Sequence, residues 1–326
     1  MIEYLSAEVQ LKITQYTWTE EYFPGFVEYD VSMSLDDKIF NGRGIAEEKS
    51  IAISKATAEC LEDLVLHTVN KSRGGEGRIS TSSGFAAHYN QEAAIQHGLQ
   101  ELLERDSFMC HFLSGKPFVK LRADNANFPS SRQFPLFEKT PVQYFSADTA
   151  LDGYSTIICS IDLDSVGLGR VIGLATSRSL HDAGNKAFLE AARRAAVFLI
   201  EDSVKPKPAI LEKINLNERL GPDEHYALSL NKNYWDNLNY LFPTGAAATT
   251  GISSKQISLK VTTDFDRTIN FLKDCPLKVV HCKSSDLQNF YFGGVDRSKI
   301  NFQRLKQFYG KSIEYSEVNK SLHPIG

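Results

Sequence analysis

The amino-acid sequence predicts a single mixed α/β domain spanning residues 1–326, with mixed sheets and three long helices. Three observations lead to that class. A strand-like stretch or a Gly-containing turn runs into a long helical pattern three times before residue 205. The remainder alternates short strand-like and helix-like segments. With 326 residues, 42% hydrophobic and 23% charged, the chain can bury a sizeable core and is ordinary in composition for a globular protein.

In chain order, the first unit runs through Gly42-Arg43-Gly44 into a helix at about Ala46–His67. The second runs through Ser82-Ser83-Gly84 into a helix at about Gln91–Leu113. The third runs through Gly167-Leu168-Gly169 and the β-like Arg170–Thr176 into a helix at Asp182–Ser203. The spacing is irregular, so these are not solenoid repeats. Lys205-Pro206-Lys207-Pro208 stops the third helix, because proline has no amide hydrogen, and is read as a loop inside the domain. Gly74-Gly75-Glu76-Gly77-Arg78 is read as a loop, either a cover over a substrate or a plain connection. Farther on, Ile257–Thr262, Leu277–Cys282 and Asn289–Gly293 read as strands. Asp264–Asp274 reads as a short helix, and Asn301–Gly310 as a helix ending at its glycine.

Composition excludes several classes. Lys and Arg total 36 against 40 Asp and Glu, a net charge of −4, which argues against a protein that binds nucleic acid electrostatically. No apolar run reaches the roughly 18 residues of a membrane-spanning helix. Glu3, Glu8 and Lys12 interrupt the first residues, so no signal peptide is expected. The five cysteines, at 60, 110, 159, 275 and 282, lack C-x-x-C spacing and read as reduced thiols of a cytoplasmic protein. The histidines have no zinc-binding spacing, and no P-loop pattern is present.

The informative residues are carboxylates on the three helices: Glu59-Cys60-Leu61-Glu62, Glu101-Leu102-Leu103-Glu104-Arg105-Asp106 and Glu190-Ala191-Ala192-Arg193. Residues three apart share a helix face, with Cβ atoms about 5–6 Å apart. On the second helix the main apolar stripe is Ile95, Leu99, Leu102, Leu103 and Leu113, yet Ala94, Phe108 and Phe112 fall on the glutamate side. Ile51, Val65 and Leu66 accompany the first pair; Lys186, Val197 and Glu201 accompany Glu190. Helices apolar on both flanks place carboxylates in a cleft, although E-x-x-E is also common on solvated faces. Like charges in a partly buried place need compensation, which Lys, Arg or a divalent cation supplies. Mg²⁺ suits the task, since it typically takes one or two carboxylates plus substrate phosphates. Gly42-Arg43-Gly44 is read either as a phosphate cradle or as a plain turn.

Taken in order, these segments resemble the YcaO family. The matching stretches are Gly42-Arg-Gly-Ile-Ala with Ala56-Thr-Ala-Glu59-Cys-Leu-Glu62, then Ser82-Ser-Gly-Phe-Ala-Ala with Gly98-Leu-Gln-Glu101-Leu-Leu-Glu104-Arg105-Asp106, then Ala187-Phe-Leu-Glu190-Ala. The ending Leu322-His323-Pro324 also looks like the family's C-terminal His-Pro. The resemblance implies a YcaO-like fold whose three carboxylate-bearing helices surround a central nucleotide cleft. It implies ATP and Mg²⁺ as cofactors, with the metal held by Glu59, Glu62, Glu101, Glu104 and Glu190. Arg43, Arg105 and Arg193 would join those glutamates around the nucleotide, and Glu101, Glu104 and Arg105 would be the catalytic set. The implied reaction phosphorylates a peptide-bond oxygen, after which an adjacent Cys, Ser or Thr gives an azoline ring or an external sulfide gives a thioamide.

The sequence departs from the family pattern at Ser83, His88, Tyr89, Ala93, Asp63 and Arg193, all around the implied nucleotide pocket. Three readings follow. The first is an ATP-dependent cyclodehydratase acting on a ribosomally made precursor peptide, with thioamide formation as its variant. The second, resting on Ser83, Tyr89 and Ala93, is a non-catalytic YcaO-like subunit that binds peptide or a partner. The third sets the family aside for a generic Mg²⁺-dependent hydrolase. At this length there is little room for a peptide-recognition domain, so a leader-peptide-binding or E1-like partner protein is expected, with a homodimer as a further assembly to consider.

Overall fold

The computed structural model describes residues 10–35, 37–73, 79–122, 127–129, 133–200, 220–245, 259–264 and 276–326. They belong to two compact units. The first comprises residues 1–99 and 261–284, the second residues 100–260 and 285–326.

The first unit begins with an antiparallel meander of β1 (Gln10–Tyr16), β2 (Val27–Leu35) and β3 (Lys38–Ala46), with the short helix α1 (Trp18–Tyr22) between β1 and β2. Strand β2 alternates as a half-buried strand should, with Tyr29, Val31 and Met33 inward and Asp30, Ser32 and Ser34 outward. Asp37, at φ 60°, helps close the β2–β3 hairpin in the left-handed conformation that a short polar side chain tolerates. Helix α2 (Lys49–Arg73) covers the inner face of the meander, burying Ala56, Cys60, Leu61 and Leu64 against Val31, Met33 and Phe40, and Ala52 against Tyr29 and Ala46. A second antiparallel sheet has the order β4–β10–β9, from β4 (Phe85–His88), β9 (Thr262–Asp264) and β10 (Lys278–Lys283). The first turns of α3 (Gln91–Ser114) complete the unit, and the Asn90 side chain caps that helix on the Ala93 amide at 3.0 Å.

The second unit carries a four-stranded antiparallel sheet, β5 (Val119–Leu121), β6 (Val142–Ala147), β7 (Ser155–Asp162) and β8 (Arg170–Ser177), in that order. Seven of the eight residues of β7 are buried, as a central strand covered on both faces requires. Helix α4 (Leu180–Ile200) lies on β7 and β8 through Ala183, Ala187, Ala191 and Ala195, small side chains that allow close approach. Phe108, Phe112, Phe145, Ile158, Leu174, Trp235 and Phe308 form the main core, joined by α5 (Pro222–Ser229), α6 (Lys232–Asp236) and α7 (Phe302–Tyr309). At the centre, Arg304 of α7 and Asp106 of α3, both fully buried, form a forked ion pair with N–O distances of 2.6–3.1 Å.

The architecture is mixed α/β, as expected, but the sheets, expected to be mixed, are all antiparallel among the described residues. The three long helices form within a few residues of their expected bounds, and α7 is capped by Asn301 and closed by Gly310 at φ 84°. Two further expectations are corrected. Gly42-Arg43-Gly44 lies in mid-strand, opposite Val31, Asp30 and Tyr29, rather than in a turn. Residues 289–293 run without a ladder, and their backbone bonds go to side chains: Tyr291 and Phe292 carbonyls to His323 and Lys299, the Gly293 amide to His225. Only the end of the expected 257–262 strand is seen in β9. The 205–208 break, the 74–78 loop, the 264–274 helix beyond Asp264, and Glu201 lie outside the described residues.

Candidate active site

In the first unit, Glu59 and Glu62 stand on one face of α2, and both line a cavity of about 470 Å³. This volume is in the range of small-molecule pockets. Ser54, Lys55, His88, Tyr89 and His97 also line it. Each glutamate takes a backbone amide from the edge of a sheet: Glu59 accepts from Arg43 of β3 at 2.8 Å, and Glu62 from Ala87 of β4 at 2.7 Å. Both strands are outermost in their sheets. Their outward amides need acceptors, which the helix carboxylates provide.

Gly42 and Gly44 lie against the backbone of α2. A Cβ on Gly42 would come 2.1 Å from the Ala56 carbonyl oxygen, and one on Gly44 would come 2.0 Å from that of Ala52. The glycines are there to admit the helix. Arg43 turns its guanidinium over the Tyr16 ring, 4.4 Å from the centroid, donates to the Tyr16 hydroxyl at 2.7 Å and sits 3.9 Å from the buried Glu28. Cys60 is buried beside Glu59, and burial pushes its thiol up to about 12, so it stays protonated and fills space.

In the second unit, Glu104 of α3 and Glu190 of α4 meet along the edge of β8. Glu190 accepts the Leu174 amide at 2.8 Å, and the Thr176 amide bonds Glu104 two residues farther on. Burial holds the Glu104 carboxyl well above the usual carboxylate range; the charge of Glu190 adds to this, Arg105 opposes it, Glu101 raises it further and the Thr176 amide lowers it. Arg105 lies 3.9 Å from Glu101 and 4.4 Å from the centroid of Phe290. Its Nε is buried with no hydrogen-bond partner. Arg194, one residue beyond the expected Arg193, pairs with Glu190 at 3.2 Å and reaches the Gly326 carbonyl at 3.3 Å. Arg193 itself is partly buried on α4.

The donor set fits the expected group. Among the described residues no three His, Cys, Asp or Glu side chains are placed to hold a metal unaided. Carboxylate pairs are hard oxygen donors, and Mg²⁺ completes such a pair with phosphate oxygens and water. The raised, crowded Glu104 carboxyl is a place where a cation relieves repulsion.

The glutamates and Arg105 were expected from the sequence and its family resemblance, and Glu104, Glu190 and Arg105 lie near one another in the second unit. Sequence reasoning missed Lys55, whose Nζ donates to the Ile45 carbonyl at 3.0 Å, His97 and Arg194. His88 and Tyr89 stood out only as departures from a pattern. Asp106 belongs to the same short stretch but is structural, tied to Arg304 and to the Gln288 amide at 2.8 Å.

The sequence model of the family described as YcaO cyclodehydratase, ATP- and Mg²⁺-binding, matches residues 62–288. No curated protein sequence matches the chain. Among solved structures, the fold is similar to YcaO from Methanopyrus kandleri bound with AMPPCP and Mg²⁺ (TM-score 0.56, 13% identity, 89% of this chain and 88% of that one). It is similar to a chain of the E. coli microcin synthetase McbBCD complex (TM-score 0.58, 12% identity, 96% of each chain). It is also similar to a heterocyclase in complex with substrate and cofactor (TM-score 0.61, 14% identity), of which it covers 55% while 98% of this chain is covered. The family match covers well over half of the residues, and the chain belongs to the YcaO family.

Proposed function

We propose that the chain activates backbone amides of a ribosomally made precursor peptide at the expense of ATP, and that the product is an azoline formed from Cys, Ser or Thr. The observation that carries this reading is the part-buried Glu104–Glu190 pair beside Arg105, two like charges seated along one strand edge, in a family of ATP- and Mg²⁺-binding cyclodehydratases. Glu59, Glu62, Glu101, Glu104 and Glu190 are assigned to Mg²⁺ and the nucleotide. Arg105 meets phosphate, where a guanidinium fork suits an oxyanion. Arg43 and Arg193 are assigned to the nucleotide as well, Arg43 by steadying Glu59 through its amide.

Bound Mg-ATP supplies the phosphoryl group that turns the amide oxygen into a leaving group. The protein's part is positioning and charge neutralisation, so no covalent nucleophile is required of it. The side-chain thiol or hydroxyl of the peptide adds to the activated carbon, and the oxygen departs as phosphate. Thioamide formation follows the same activation with an external sulfide. The precursor is delivered by a leader-binding or E1-like partner; a similar fold occurs in the E. coli microcin synthetase McbBCD complex with pro-MccB17 bound.

One observation favours a second reading. Glu59, Glu62 and Glu190 each satisfy a strand-edge amide, so each has a structural task without a metal. A non-catalytic subunit would keep them for that reason. Calorimetric titration of Mg-ATP into the wild type and into Glu101→Ala/Glu104→Ala separates the two. Binding lost in the double variant, followed by loss of one water mass per ring from precursor peptide, supports the enzyme. No nucleotide binding by the wild type, alone or with its partner, supports the subunit.

A further inference from the structure

We infer that Gly42 and Gly173, with the edge amides of Arg43 and Leu174, are positioning groups that hold Glu59 and Glu190 in one orientation for Mg²⁺. The inference rests on the Mg-ATP reading above. The same geometry occurs twice, once in each unit. In the first, a Cβ on Gly42 would fall 2.1 Å from the Ala56 oxygen and 2.3 Å from the Cys60 nitrogen. In the second, a Cβ on Gly173 would fall 2.3 Å from the Ala187 oxygen and 2.5 Å from the Ala191 nitrogen. The glutamate follows the first of these helix residues by three positions and precedes the second by one, in both cases. It then accepts the amide of the residue after the glycine, at 2.8 Å from Arg43 and 2.8 Å from Leu174. The number of residues from Gly42 to Gly173 equals that from Glu59 to Glu190.

The physical reason is space. Neither glycine has the positive φ that would call for glycine on backbone grounds. What each lacks is a Cβ, and that lets the helix backbone reach van der Waals contact with an edge strand. Only at that distance does a glutamate side chain span to the edge amide. A long side chain loses rotamer freedom when it binds an ion. A carboxylate already held by a strand-edge amide has met that cost in folding, so it meets the cation pre-oriented. The same β8 edge seats Glu104 through Thr176, which fixes the Glu104–Glu190 pair along one strand.

The test uses the full chain with Glu190→Gln, Glu190→Ala, Gly173→Ala and Glu190→Asp. Two quantities are read: hydrogen-exchange protection of the Leu174 amide, and the Mg²⁺ concentration that half-saturates ATP binding. Glu190→Gln keeps an acceptor oxygen, so it retains protection but loses the Mg²⁺ coupling. Glu190→Ala loses both. Gly173→Ala keeps the carboxylate yet loses protection, and its Mg²⁺ midpoint rises about tenfold or more, the range seen when a metal ligand loses its orienting partner. If Gly173→Ala does not fold, Glu190→Asp carries the test: the charge stays, one methylene is lost, protection falls and the midpoint rises. Equal protection of Leu174 in wild type and Glu190→Ala overturns the inference. So does loss of protection in Gly173→Ala or Glu190→Asp with an unmoved midpoint. A wild type that shows protection but no Mg-ATP binding overturns the functional reading and the metal role with it, and is told apart by its intact Leu174 protection.

Discussion

Asp106→Ala is the most informative perturbation of stability. The carboxylate is fully buried and accepts from Arg304 Nε at 2.9 and 3.1 Å, from Arg304 Nη2 at 2.6 Å and from the Gln288 amide at 2.8 Å. Removing it strands a buried guanidinium and a buried amide. Breaking one side of such a pair costs about 3–5 kcal/mol. At about 2–4 °C per kcal/mol for a domain of this size, melting falls by roughly 6–20 °C. The assay is thermal unfolding followed by circular dichroism, with the double variant Asp106→Leu/Arg304→Met beside it. The double variant removes both charges and leaves apolar side chains of similar bulk, so it recovers most of the loss. A fall under about 2 °C for the single variant, or a double variant no better than the single, refutes the reasoning. Mg-ATP binding of the folded fraction is unchanged at low temperature, because Asp106 faces Arg304 and not the carboxylates of the site.

Three further outcomes are expected. Glu104→Gln raises the melting temperature of the nucleotide-free protein at neutral pH and weakens Mg-ATP binding: a carboxyl held above its unfolded value takes up protons preferentially in the folded state, so stability falls as pH rises from the unfolded value of about 4.3 through the folded one. An unchanged melting profile in a pH series contradicts it. His225 and His323 are buried, with tilted rings whose centroids lie 4.1 Å apart, and both are held below the usual imidazole range by desolvation, with His225 adding to the effect on His323. Their contribution to stability is present above about pH 6.5 and is lost as pH falls toward the folded values, so melting between pH 7 and 5 drops more steeply in wild type than in His225→Gln/His323→Asn. Arg105→Lys loses the planar stack on Phe290 and the fork, and weakens ATP binding by about tenfold with little change in melting; equal affinity removes Arg105 from the phosphate role.

Helical periodicity and spacing in the sequence alone determined the three long helices and the glutamates that share a face, while Arg105 was singled out by the resemblance to the YcaO family. Those are local properties: a residue three positions on lies on the same face wherever the helix goes. The absence of zinc spacing and of a P-loop was legible for the same reason, since both are short patterns. Tertiary structure decided what the local patterns could not. Gly42-Arg43-Gly44 looks like a turn in a window of a few residues, but long-range pairing with β2 makes it a strand, and the approach of α2 explains its glycines. Residues 289–293 have strand-like composition, yet among the described residues no strand pairs with them, and side chains from Lys299, His225 and His323 bond the backbone instead. Asp106 and Glu104 are two residues apart on one helix; only the arrival of Arg304 at one and of Glu190 at the other makes the first a structural anchor and the second a raised, charge-crowded carboxyl. A residue's spacing is written in the chain, whereas its partner and its dielectric surroundings are set by segments far along it, 198 positions for Asp106 and Arg304, and they exist only once the chain has folded.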